Sequence, residues 1–204
     1  MCKIICITNR KLCRRSFPEQ LKNITAARPD MVILREKDMS EKEYSELAEK
    51  SAEICKGYGV PFAVNSFWKT AAMLGIKRVH LPLHLLREMT PEEKAQFDII
   101  GTSCHSKDDA IEAESLGAGY IIAGHIFETD CKKGLAGRGL GFLEEVKECV
   151  DIPVYAIGGI SPENAADCIR TGADGICLMS GFMQAEDVSA YMENLKNNIN
   201  RKEK

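Results

Sequence analysis

No apolar run in this chain approaches the roughly 20 residues that a transmembrane helix needs, so no membrane span is expected. The apolar stretch between Met1 and Asn9 is too short for a signal peptide. Net charge is nearly absent: 27 basic against 30 acidic residues leave -3, no bulk reason to expect a nucleic-acid or membrane partner. There is no CxxC pair and no Cys/His cluster with zinc spacing. Nine cysteines are present, an odd number, and they are scattered. Cys2, Cys6, Cys168 and Cys177 sit in apolar patterns, where a free thiol behaves as a small hydrophobe. A reducing, cytoplasmic setting is therefore expected. Also missing are low-complexity segments, an interdomain linker, and the G-x-G-x-x-G fingerprint of a dinucleotide-binding sheet; Thr8-Asn9-Arg10 follows the first apolar run instead.

What remains is the composition of an ordinary globular domain, 45% apolar and 28% charged, in a chain long enough to bury one core. Eight short apolar runs punctuate it: Lys3–Thr8, Met31–Arg35, Phe62–Asn65, Arg78–Leu81, Asp98–Ser103, Tyr120–Gly124, Val154–Ile157 and Gly175–Met179. Most are rich in Ile, Val or Leu without alternation, the pattern of strands buried on both faces of a parallel sheet. Helix signals lie between them. Ser40 with Glu43 makes a capping box, Ser106 with Asp109 a similar start, and Ser161-Pro162 an N-cap followed by proline. Val188, Tyr191, Met192, Leu195 and Ile199 share one face of a last helix. Gly75, Gly117 and Gly172 each stand between a helix and the next strand, where glycine supplies the left-handed C-cap. Eight strands alternating with helices predict a single-domain α/β (β/α)8 TIM barrel over residues 1–204, with a frayed tail from 197, in preference to an open doubly wound sheet.

In such a barrel the active site lies at the C-terminal strand ends. Arg35, Lys37, Asn65, His84, His105 and His125 fall there. Gly158 and Gly159 follow the seventh run and Ser180 and Gly181 the eighth, where glycine-rich turns entering helices attract phosphate. As tight turns alone they would carry no chemistry. The most unusual stretch runs from Gly124 to Gly139, with four basic or histidine side chains in a long connection. Long loops in compact domains are usually functional or disordered. His125 at its root is a natural proton shuttle, since an unperturbed imidazole titrates near pH ~6.5; a structural histidine is the alternative. Lys132, Lys133 and Arg138 are placed to bind anions as the segment closes. His80, inside a strand, reads as structural.

With these residues assembled, the chain resembles the thiamine phosphate synthase superfamily over nearly its whole length. The likeness rests on Leu34-Arg35-Glu36-Lys37, Val79-His80-Leu81, His105-Ser106, Gly124 to Lys132, Ala156 to Ile160, and Gly172-Ala173-Asp174-Gly175 through Ser180-Gly181. Within that superfamily the Gly124–Gly139 stretch looks like the thiazole tautomerase branch, because the synthases usually carry proline where His125 stands. The synthases also use an Asn-Asp pair after the third strand and another aspartate after the fourth to hold magnesium. Here Asn65 is followed by Ser66, and Leu81 by Pro82-Leu83-His84. The glutamine two residues before the strand-two arginine is Ile33.

The resemblance thus implies a cofactor-independent thiazole tautomerase that aromatises a carboxythiazole phosphate. His125 would be the catalytic acid/base. Arg35, Lys37, Asn65, His105, Thr129 and Lys132 would contact substrate, and Gly158, Gly159, Ser180 and Gly181 would hold its phosphate. No metal is expected in that reading. The first alternative is a thiamine phosphate synthase that joins a hydroxymethylpyrimidine pyrophosphate to a thiazole phosphate with magnesium. The second is a non-catalytic regulator that binds a thiamine precursor. The expected partner is a small phosphorylated thiazole substrate, and homo-oligomer formation stays open.

Overall fold

The structure, a computed structural model, describes residues 2–129, 132 and 134–201. Eight parallel strands close into a barrel in chain order, with the last hydrogen-bonded to the first. They are β1 (Lys3–Ile7), β2 (Met31–Leu34), β3 (Phe62–Asn65), β4 (Arg78–Pro82), β5 (Ile99–Cys104), β6 (Tyr120–Gly124), β7 (Val154–Ile157) and β8 (Gly175–Leu178). The helices wrapping them are α1 (Phe17–Ala26), α2 (Glu41–Gly57), α3 (Trp68–Met73), α4 (Leu83–Glu88), α5 (Pro91–Lys94), α6 (Lys107–Ser115), α7 (Gly139–Glu148), α8 (Ala165–Arg170), α9 (Ser180–Gln184) and α10 (Val188–Arg201). The expected (β/α)8 barrel is what the chain forms, and each expected strand lies within a residue of the observed one at either end.

Successive strand side chains point to opposite faces, so each strand serves two cores. Val32, Leu34, Val64, Val79, Leu81, Ile121 and Ile176 point outward into the larger core beneath the helices. Ile5, Ile7, Met31, Ile33, Ala63, Tyr120, Ile122 and Cys177 point inward and fill the barrel. Tyr120 spans much of that interior because the facing residue on β5 is Gly101; a Cβ there would overlap the Tyr120 ring. His80 and Tyr155 pack against the same ring.

Both capping expectations on α2 and α6 hold: the Ser40 hydroxyl accepts from the Glu43 amide, and that of Ser106 from the Asp109 amide. Ser161-Pro162 does not start a helix. The chain first makes a turn in which the Asn164 side chain accepts the Ser161 amide at 2.8 Å and donates to the Gly159 carbonyl at 2.9 Å. Only then does α8 begin, at Ala165. The tail is also more regular than expected, because α10 continues to Arg201 and buries Ile199; residues 202–204 lie outside the described residues.

Candidate active site

A cavity of about 370 Å³ opens where the strands end. Its floor is the top inward layer of the barrel, Ile7, Ile33, Ile122, Ile157 and Cys177, and its walls are the polar residues one step further along the same inward rows. Met31 and Ile33 face in, so Arg35 faces in as well. Ala63 brings Asn65, Gly101 brings Ser103, and Tyr155 and Ile157 bring Gly159. The period of two that builds the core therefore also delivers the site.

Glu36 lies between Arg35 and Lys37 and turns the other way. Its carboxylate is buried and accepts the Thr8 hydroxyl at 2.8 Å, the Arg10 amide at 2.9 Å and the Arg10 guanidinium at 3.1 Å. This leaves Arg35 and Lys37 aimed into the cavity, where Lys132 joins them. Among the described residues none of the three side chains has a hydrogen-bond or ion-pair partner. The Arg35 charge, then partial burial, then the Lys132 charge hold the Lys37 ammonium below its usual pKa. Unneutralised positive charge in a pocket is an anion site in waiting.

The next wall is braced from below. The Tyr44 hydroxyl, fully buried, donates to the Leu34 carbonyl at 2.6 Å and accepts the Asn65 amide at 3.2 Å, tying the ends of β2 and β3 together. Asn65 spends its amide nitrogen on the His80 carbonyl at 3.1 Å, while its side-chain oxygen accepts the Ser66 hydroxyl at 3.2 Å. His80 is structural in its burial but reaches the cavity. Its ring sits between the Ser103 hydroxyl at 2.8 Å and the Tyr120 hydroxyl at 3.3 Å. Burial first, then the Arg35 charge, depress its pKa to about 3, so the ring is neutral. His105 makes a 2.7 Å contact from Nδ1 to the Gly124 carbonyl and lines the pocket, whereas His84 is exposed on α4 and does not.

The segment after β6 is pinned at both ends. Ile126 and Phe127 donate to the Ile157 and Gly158 carbonyls at 2.8 and 3.0 Å, and Arg138 and Gly139 return to the His125 and Ile126 carbonyls at 3.0 and 2.9 Å. Gly158 and Gly159 adopt φ of 103° and 64°, and side chains there would overlap His125 and the Phe127–Glu128 backbone. That close approach accounts for both glycines without a ligand. Lys132 and Thr129 line the cavity, but Arg138 lies over the Phe142 ring instead. Asp130, Cys131 and Lys133 lie outside the described residues. His125 is buried; Nε2 contacts the Leu135 carbonyl at 3.3 Å, and Nδ1 is buried with no partner among the described residues.

Nearly every candidate from the sequence therefore converges: Arg35, Lys37, Asn65, His105, His125, Thr129, Lys132, Gly158, Gly159 and Ser180 all line one cavity. Gly181 does not. It lacks a side chain because one would overlap the Tyr191 hydroxyl. Ser103 and His80 line the cavity as well: Ser103 stands on the inward row between Gly101 and His105, at the strand end where the barrel rule places candidates, while His80 reads from sequence as structural only.

A parallel barrel with a cationic pocket at its C-terminal rim is an enzyme scaffold of the phosphate-handling kind. Residues 4–182 match the family model described as thiamine monophosphate synthase, and the chain belongs to that family. It is 35% identical to the thiamine-phosphate synthase of Clostridium acetobutylicum over 192 residues, 91% of this chain and 89% of the relative. It is 34% identical to that of Pyrococcus horikoshii, covering 95% and 93% of the two chains. Among solved structures, the thiamine phosphate pyrophosphorylase of Pyrococcus furiosus superposes with a TM-score of 0.83 at 31% identity, covering 98% of this chain and 96% of the other.

These likenesses overturn the tautomerase expectation, and with it the isomerase class. The relatives that match along almost the whole chain are named as synthases. His125 stays in the cavity wall, with Nε2 on the Leu135 carbonyl. What stands is an enzyme of thiamine biosynthesis in the synthase superfamily.

Magnesium, which the family resemblance implies, finds no fitting donor set among the described residues. Magnesium is held through one or two carboxylates together with substrate phosphates. No described carboxylate lines the cavity, and no group of three or more His, Cys, Asp or Glu side chains is placed to hold a metal ion. The strand-end positions in question carry the Ser66 hydroxyl, Pro82 and the buried Leu83 side chain.

Proposed function

We propose that this chain is a thiamine-phosphate-synthase-type transferase, joining a hydroxymethylpyrimidine pyrophosphate to a thiazole phosphate. The carbon–oxygen bond of the pyrimidine methylene breaks, and its electron pair leaves with pyrophosphate. The lone pair of the thiazole nitrogen forms the new carbon–nitrogen bond and leaves that ring as a cation. No proton changes hands. The protein's task is to stabilise the leaving charge, align the two rings and keep water away.

The carrying observation is the convergence of Arg35, Lys37 and Lys132 on one cavity without a facing described carboxylate. In this reading they bind the pyrophosphate and stabilise it as charge develops. Ser180 and the Gly158-Gly159 backbone, at the ends of β8 and β7, take the thiazole phosphate. Asn65, His105 and Thr129 orient the heterocycles, and the apolar floor excludes water. His125 fixes Leu135 beside the cavity through its Nε2 contact with that residue's carbonyl. The enzyme would work in the cytoplasm on small soluble substrates.

The test is to incubate the purified chain with both substrates and follow thiamine phosphate by mass spectrometry together with released pyrophosphate. Equal amounts of the two products are expected. Protein that binds both substrates yet releases neither product would defeat the proposal and leave a binding protein.

A further inference from the structure

We propose that this chain holds its diphosphate ligand through the Arg35–Lys37–Lys132 cluster directly, with no divalent cation bridging ligand to protein. The inference takes only the identity of the anion from the proposed reaction.

Three observations carry it. The first is the donor set: the described residues lining the cavity offer amide, hydroxyl, imidazole, guanidinium and ammonium groups but no carboxylate. A hard divalent cation takes oxygen ligands and sheds its water reluctantly, so neutral oxygens alone are a poor exchange. The Asn65 amide is also committed on both atoms, to the His80 carbonyl and the Ser66 hydroxyl.

The second is where the nearest carboxylates point. Glu36 and Asp38 flank Lys37 in sequence, yet both are taken. Glu36 is buried with Thr8 and Arg10, and Asp38 accepts the Arg10 guanidinium at 2.6 and 2.8 Å and pairs with Lys11 at 2.8 Å. Arg10 and then Lys11 hold the Asp38 carboxyl well below its usual range, as expected of a carboxylate already satisfied by cations. Glu128 is exposed and does not line the cavity.

The third is the charge already present. Arg35 and Lys132 both destabilise the protonated form of Lys37, so the pocket carries repulsion that a diphosphate relieves and a divalent cation would worsen. Fixed cations do here what a metal does elsewhere: they spread the developing negative charge of the leaving group.

The experiment is equilibrium dialysis of inorganic pyrophosphate against the full chain, once with EDTA and once with magnesium, at matched free pyrophosphate. The dissociation constant is expected to agree within about threefold between the two conditions. In EDTA, Lys37→Ala should weaken binding by about tenfold or more, the scale of one charge-assisted contact. Repeating the series with Asp130→Asn brings in the carboxylate of the segment that lies outside the described residues, and no change in metal response is expected. Binding seen only with magnesium, tightening of more than about tenfold by magnesium, or no binding in either condition would each overturn the inference. The outcome separates from the proposed reaction. Metal-free binding without product formation defeats the reaction alone, and product formation with metal-dependent binding defeats this inference alone.

Discussion

The Thr8 hydroxyl donates to the buried Glu36 carboxylate at 2.8 Å and, through the same oxygen, accepts the Arg35 amide at 3.0 Å. Two outward-facing residues thus set the backbone that carries two inward-facing cations. Glu36→Gln keeps the volume but loses the charge that Arg10 pairs with. It should lower stability by about 1–3 kcal/mol, the cost of disturbing buried charge-assisted hydrogen bonds. If the carboxylate positions Arg35 and Lys37, KM for the pyrophosphate substrate should rise more than kcat falls. Urea denaturation and steady-state kinetics check both, and an unchanged KM in a destabilised protein would reduce Glu36 to a purely structural part.

Lys37 should impose an alkaline limb on anion binding. Its ammonium form attracts the ligand, and rising pH removes that charge. Because Arg35 and Lys132 lower its pKa from 10.5, the loss should begin at lower pH than for an isolated lysine. Lys37→Arg keeps the charge throughout the accessible range. Pyrophosphate affinity measured from pH 7 upward should therefore begin to fall at lower pH in the native chain than in the variant.

His80 should make the fold acid-sensitive. Burial, then the Arg35 charge, push its folded pKa from the ordinary 6.5 down to about 3, so between those two values the unfolded chain binds a proton that the native chain refuses. Stability then falls as pH drops below 6.5, by up to about 1.4 kcal/mol per pH unit from this group. His80→Gln should be less stable at neutral pH, having lost contacts to Ser103 and Tyr120, yet show a shallower loss toward acid. Urea midpoints across pH 7.5 to 4.5 would reveal the difference in slope, and parallel lines would count against it.

Gly101 should tolerate no side chain while Tyr120 stands opposite. Gly101→Ala forces the Tyr120 ring to move within a filled interior, an overpacking that costs about 1–3 kcal/mol. Removing the obstacle with Tyr120→Leu should recover part of that loss in the double variant. A thermal-melt cycle of the four proteins measures the coupling, and strictly additive losses would show that the clash is relieved some other way.

Much of the site was legible in the sequence because a strand has a fixed period. Given the barrel, Ile33 facing inward places Arg35 inward and Glu36 outward, and the same rule collects Asn65, His105 and Gly159 at one rim. Gly158 and Gly159 were legible as a special backbone, and the structure adds a second reason for them. Their positive φ serves the close passage of His125 and Phe127, a contact between segments far apart in sequence. Gly181 likewise meets a segment distant in sequence, since α10 brings Tyr191 against it. The helix expected at Ser161-Pro162 failed because the Asn164 side chain satisfies the Ser161 amide locally and holds a turn there instead.

The sequence by itself determined the eight-strand barrel, the helix caps at Ser40 and Ser106, and the rim on which the polar residues gather, because these follow from local periodicity and local hydrogen bonding. It did not determine which residues at the rim remain available to a ligand. Tertiary structure decided that Glu36 and Asp38 are consumed by Arg10 while Arg35, Lys37 and Lys132 are left to share one cavity. It also buried His125 against Leu135. The reason is physical: a charge is available only if no opposite charge has reached it first, and that depends on which distant segments the fold brings within a few ångströms.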